Sequence, residues 1–208
     1  MTTAIKVWDI ATRSFHWSLV VCFFIAYITG DEGNLLHVYS SYIIIGLLAF
    51  RLIWGFIGPK YVRFSNFIHG IQPTLSYLRS ILIARPSYYL GHNPLGGWMI
   101  VMLLVSLTMT SWTGLELYAI EGKGPLATVT IELVETAQAN GDDDKHEREN
   151  EKGEDWLEEL HEALAGFTLF LVFVHIGGVL LSSLLHRENF IKAMWTGYKT
   201  PPDGFNED

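Results

Sequence analysis

Cysteine is almost missing from this 208-residue sequence: Cys22 stands alone. A single thiol excludes an internal disulfide, a cysteine-ligated iron–sulfur cluster and a haem attached through a C-x-x-C-H motif. Acidic residues are missing from 58–94, which carries Lys60, Arg63, Arg79 and Arg85. Bases are missing from the 31–36 turn, which holds Asp31 and Glu32. The first apolar block has no small-residue cleavage site after it, and with Arg13 and His16 at its start it does not read as a cleavable signal peptide. No internal repeat and no motif of a soluble cofactor-binding fold is present. With a net charge of −8, no nucleic-acid partner is expected.

What is present is apolar length. Half of the residues are hydrophobic, and they collect into four blocks at about 14–30, 38–57, 95–115 and 164–185. Each is long enough to cross a bilayer as a helix, whose backbone polar groups are satisfied internally. The expected fold is an all-α membrane protein, a four-transmembrane-helix bundle forming one domain over residues 1–208. Charge sets its orientation. The basic 58–94 loop belongs on the cytoplasmic side, so both termini are cytoplasmic too. The acidic turn and the 116–160 loop, with fourteen acids against four bases, face outward. In a Gram-negative bacterium this is a multi-pass protein of the inner membrane with a periplasmic acidic loop.

Local signals refine the outline. Ser14 is a candidate cap for the first helix, and His37 opens the second, which ends near Gly58-Pro59. Asn93-Pro94 supplies an N-cap and an N1 proline for the third. The stretch 73–84 reads as an amphipathic helix on the cytoplasmic surface, with a solvated loop as the alternative. A short helix is possible at 128–137. The charged run 141–153 reads as mobile, and the fourth helix as starting around Trp156.

Ionisable side chains in a membrane span are costly and by default functional. His161 and His175 lie fourteen residues apart in the last block. That is almost four helical turns, so both rings project from nearly one face, about 21 Å apart along the axis. The hydrocarbon core is about 30 Å thick, which puts one ring near each side. His16 enters the first helix from the inside and His37 opens the second at the outside. Depth therefore matches His16 with His175 inside and His37 with His161 outside. Each pair can supply both axial nitrogens of one haem b, and bis-histidine ligation favours electron transfer over oxygen activation. Taken singly, each has a plainer reading: His16 as a belt residue beside Trp17, His37 and His161 as wetted helix ends. His175, set among Leu171, Val172, Phe173, Val174 and Ile176, is the hardest to explain that way. His69, His92, His146 and His186 lie in loops or at the aqueous edge, outside the ligand set.

A haem also needs room beside a helix and cations for its propionates. Gly46, Gly166, Gly177 and Gly178 are placed to give room, or to serve helix–helix contact. Arg51 follows His37 by fourteen residues and falls on the same face. Arg51 and Arg13 are candidates to steady the inner propionates, or to snorkel to lipid headgroups.

These residues resemble the bacterial cytochrome b561 family, which is related to the b-type cytochrome subunit of nickel–iron hydrogenases. The resemblance is carried by Arg13-Ser-Phe-His16-Trp17, by Arg51-Leu-Ile-Trp54-Gly55-Phe56-Ile-Gly58 and by Gly91-His-Asn-Pro94-Leu-Gly96. It continues in the His161/His175 spacing and in the 186–197 segment. It implies two haems held by His16, His37, His161 and His175. It also implies electron transfer between ubiquinone or menaquinone and a periplasmic partner, a c-type cytochrome or an oxidoreductase subunit. The acidic loop departs from the family pattern: it suits docking of a basic partner or simply solvates. Two rivals remain at this level. One is superoxide:quinone oxidoreduction, which the acidic outer surface disfavours; the other is a haem-free anchor or transporter. The cytoplasmic interface near Arg51, Lys60 and Tyr61 is a possible quinone site.

Overall fold

The computed structural model describes residues 4–30, 34–83, 86–127 and 143–202. In chain order these form β1 (Ile5–Lys6), α1 (Ile10–Ile28), α2 (Leu35–Ile57), a 3-10 turn (Lys60–Val62), α3 (Phe64–Phe67) and α4 (Ile71–Leu82). Then come α5 (Pro94–Ile120), α6 (Asp143–His186), α7 (Phe190–Thr196) and β2 (Tyr198–Lys199). Among the described residues, four helices are long and apolar enough to cross a membrane: α1, α2, α5 and the Asp155–His186 part of α6. Each carries one of the four apolar blocks. Large side chains such as Ile28, Phe56, Met102, Phe170 and Leu184 stand exposed along them, as lipid-facing residues do.

Helix starts differ from the sequence expectations because stronger caps lie upstream. Asp9, not Ser14, caps α1: its carboxylate accepts from the Thr12 amide and hydroxyl, both at 2.8 Å. Asn34 caps α2 three residues before His37, accepting from the Leu36 amide at 3.0 Å. Asn93 caps α5 as expected, accepting from the Gly96 amide at 2.7 Å, with Pro94 as first helical residue. Helix α6 begins at Asp143, so most of the charged run expected to be mobile is helical. Glu, Lys and Arg are good helix formers, and continuation of a long helix needs no new nucleus. The possible helix at 128–137 lies outside the described residues. The all-α expectation needs one correction. Strands β1 and β2 pair antiparallel, Ile5 opposite Lys199 and Lys6 opposite Tyr198, because the two end segments meet.

By backbone contacts the chain divides into two compact units, Met1–Leu103 with Leu171–Asp208, and Leu104–Phe170. In the first, α1 and α2 pack through Phe15, Phe23, Ala26, Ile44 and Leu48. Their loop-side end is tied to the C-terminal segment. Val7, Trp8, Val62 and Leu90 form a buried cluster with Tyr61, Tyr88 and Met194 packed against it. The Val7 and Trp8 amides donate to the Gly197 carbonyl at 2.8 and 3.1 Å. Gly197 closes α7 at φ +88°, where a Cβ would also meet the Trp8 carbonyl oxygen. Helix α4 covers the expected amphipathic stretch, with Ile71, Leu75, Leu78 and Leu82 exposed as a stripe and Tyr77 buried. In the second unit, a ladder of hydroxyls joins α5 to α6: Ser106 Oγ lies 2.6 Å from Thr168 Oγ1, which donates to the Leu164 carbonyl at 2.8 Å.

Candidate functional site

All four expected histidines lie on the long helices and all are half-buried. In the first unit α1 brings His16 and α6 brings His175, near enough for their charges to act on one another. Ring contacts hold His16 from the side: Trp17 meets it edge-on at 5.1 Å, and Trp195 of α7 meets Trp17 at 5.6 Å. Three buried nitrogens on this stretch of α1 have no partner: His16 Nδ1, Trp17 Nε1 and Arg13 Nε. Arg13 Nη1 donates to the Trp195 carbonyl, so one end of its guanidinium is committed and the Nε end is not. Unpaired buried donors cost about 1–3 kcal/mol each. Trp17 Nε1 and Arg13 Nε can only donate, so the two together suit an acceptor.

His37, on α2 of the same unit, sets its Nδ1 2.8 Å from the Ala26 carbonyl of α1. A carbonyl only accepts, so Nδ1 carries the hydrogen and Nε2 keeps the lone pair. His161, in the second unit, has Nδ1 2.9 Å from Thr113 Oγ1. Arg51 is more deeply committed than the sequence suggested. It is only 4% exposed, donates through Nη1 and Nη2 to the Val62 carbonyl at 3.3 Å, and lies over the Phe64 and Phe67 rings. Gly55 makes room for the Phe64 ring, which a Cβ would overlap. Arg51 thus pins the loop after α2, with its remaining N–H groups left for any second partner.

Gly46, Gly166, Gly177 and Gly178 each have open space where a Cβ would stand. Among the described residues, no three His, Cys, Asp or Glu side chains converge on one point. A family model for prokaryotic cytochrome b561 matches residues 7–197. The chain belongs to that family. No curated protein and no solved structure matches it. Membership makes it a membrane b-type cytochrome that transfers electrons. The residues present fit such a group, with imidazoles as axial donors and unpaired N–H groups on α1 for its carboxylates.

One residue of the cytochrome that the sequence reading set aside proves buried. His92 lies between Trp8 and Phe67, with ring centroids at 4.5 and 4.9 Å, and its Nδ1 is buried without a partner. Burial, together with the positive charges of Lys199 and Arg51 and the nearby His175, pushes it down to about 3. Lys199 is itself buried, 4.5 Å over the Phe190 ring, donating to the Gly91 and Tyr89 carbonyls at 3.2 and 3.4 Å. Burial pushes its ammonium down to about 8 against the pull of Glu188. His92 also lines a cleft of about 300 Å³ with Lys60, Tyr61, Asn66, His69 and Tyr89. The sequence signals were its place beside the Asn93-Pro94 cap and within the 91–96 segment that carries the family resemblance. Nothing in a loop histidine foretells that the two ends of the chain will cover it.

Proposed function

We propose that the cytochrome carries electrons across the bacterial inner membrane between the quinone pool and a periplasmic redox protein, through two b-type haems in one membrane domain. His16 and His175 would hold one iron at the cytoplasmic level, and His37 and His161 the other at the periplasmic level. The observation that carries this reading is the set of four half-buried imidazoles on the long helices, with His175 near enough to His16 for its charge to act on it. Each bound group supplies one-electron redox chemistry; the protein supplies ligation, spacing and dielectric. Arg13, through its unpaired Nε, would steady a propionate of the cytoplasmic-side group. Arg51 would share that task only through the donors not already given to Val62.

Both termini lie in the cytoplasm in this reading, with the α4 stripe against the headgroups. Ubiquinone or menaquinone would enter the cleft beside Lys60 and Tyr61. The partner at the other face is a basic c-type cytochrome or an oxidoreductase subunit of the hydrogenase kind, steered by the acidic 116–160 loop. A pyridine haemochrome assay on the purified protein tests the core of the proposal. Two b-type haems per chain are expected. One would leave a single histidine pair as ligands, and none would return the chain to anchors and transporters.

A further inference from the structure

In the second unit a run of hydroxyl groups on α5 ends on His161. Thr110 Oγ1 donates to the Ser106 carbonyl at 2.9 Å, and Thr113 Oγ1 donates to the Thr110 carbonyl at 3.0 Å. Thr113 Oγ1 also lies 2.9 Å from His161 Nδ1. The one hydroxyl proton of Thr113 is given to a carbonyl, which can only accept, so its lone pairs face the imidazole. Both contacts are satisfied together only when His161 Nδ1 carries a hydrogen. Nε2 then keeps the lone pair that a metal takes. Thr113 is 6% exposed, so solvent does not stand in for it. The next residue acts on the same ring. A Cβ on Gly114 would lie 2.9 Å from His161 Cε1 and 3.4 Å from Nδ1, closer than a methyl group packs.

We propose that Thr113 and Gly114 are positioning residues for His161. Thr113 fixes its tautomer and makes it a stronger electron donor, and Gly114 fixes the plane of its ring. The proposal rests on the reading of His161 as an axial ligand. A hydrogen bond accepted from Nδ1–H raises the basicity of the other nitrogen. A more basic axial ligand favours the ferric state and lowers the reduction potential. A hydroxyl that is itself donating to a carbonyl accepts more strongly, which adds to the effect. Were Thr113 only a link between α5 and α6, its loss would change stability and leave the potential alone.

The test is a potentiometric titration of the reduced-minus-oxidised spectrum of the purified holoprotein, with the ferric electron paramagnetic resonance spectrum alongside. His161→Ala identifies which of the two redox waves belongs to His161. Thr113→Val should keep both haems and move that wave to higher potential, raising the reduced-to-oxidised ratio at the original midpoint several-fold. The other wave should stay in place, and Thr113→Ser should restore the original potential. An unmoved wave in Thr113→Val, an equal shift of both waves, or a Thr113→Ser protein that behaves like valine overturns the proposal. If Thr113→Val does not assemble, Gly114→Ala decides: a changed low-spin ferric signal for that haem supports the positioning role, and an unchanged one overturns it. Retention of both haems by His161→Ala brings down the ligand reading itself, a different failure from a silent Thr113→Val.

Discussion

The two compact units use polar side chains in opposite ways. In Leu104–Phe170 they lie within the helices: Ser106, Thr110 and Thr168 meet across α5 and α6, and Thr113 holds His161 at Nδ1. In the other unit they gather at the loop-side end. There Arg51, Lys199 and Glu188 bond to carbonyls, amides and a tyrosine, while His16 higher on α1 has a bare Nδ1. The difference is instructive for ligand geometry. His161 has its tautomer set by the protein alone, and His37 likewise by the Ala26 carbonyl. His16 has no such restraint and depends on whatever occupies the space beside it.

That contrast can be broken most sharply by removing ligands. His175→Ala should abolish the haem shared with His16 while sparing most of the other, and His161→Ala should do the reverse, both read as haem per chain. Loss of both from either change would mean cooperative binding, and retention of both would end the assignment. Next in size is Gly55→Ala, whose methyl would overlap the Phe64 ring. Overpacking of this kind costs about 1–3 kcal/mol. Thermal unfolding in detergent should show the loss, and an unchanged midpoint would mean that the loop after α2 gives way freely.

Acidification probes the loop-side end. His92 is held at about 3 in the fold against an ordinary 6.5, so the unfolded chain binds a proton that the folded one refuses. Its contribution is intact above about pH 6.5 and falls as the pH drops toward 3. Melting temperatures should therefore decline from pH 7 to about pH 5, and His92→Gln should flatten the slope. Equal slopes would count against the buried, neutral imidazole. The smallest expected effect is in the hydroxyl ladder. Thr168→Val strands the Ser106 hydroxyl, and interhelical hydrogen bonds in membranes are worth about 0.6 kcal/mol on average. A loss several times larger in unfolding experiments would show that the ladder acts cooperatively.

Much of this was legible in the residues themselves. Apolar length alone marks four helices, because an unpaired backbone cannot cross hydrocarbon. Periodicity and depth nominate His16, His37, His161 and His175 as a proposed set, because a buried ionisable group needs a reason to be there, and all four lie half-buried on the long helices. The α5 cap at Asn93-Pro94 was equally plain, being set by adjacent residues. Other features were missed, some set locally by a stronger cap or by propensity and some by which distant segments meet. Asp9 displaced Ser14 as a cap through its two bonds to Thr12, and the charged run joined α6 as helix rather than loop. His92 looked like an ordinary loop residue until Trp8, Phe67 and Lys199 closed over it. Arg51 could be placed on a face by counting, but its carbonyl partner eleven residues on could not.

The sequence by itself determined that this is a helical membrane protein with four candidate spans and histidines on them, because length, hydropathy and helical phase are local properties that no packing partner can reverse. Only the tertiary structure decided which nitrogen of His37 and His161 bears the hydrogen, why position 114 is glycine, and which buried donors on α1 stay unpaired. Those depend on atoms eleven to forty-eight residues apart coming within about 3 Å, a distance that helical periodicity does not encode.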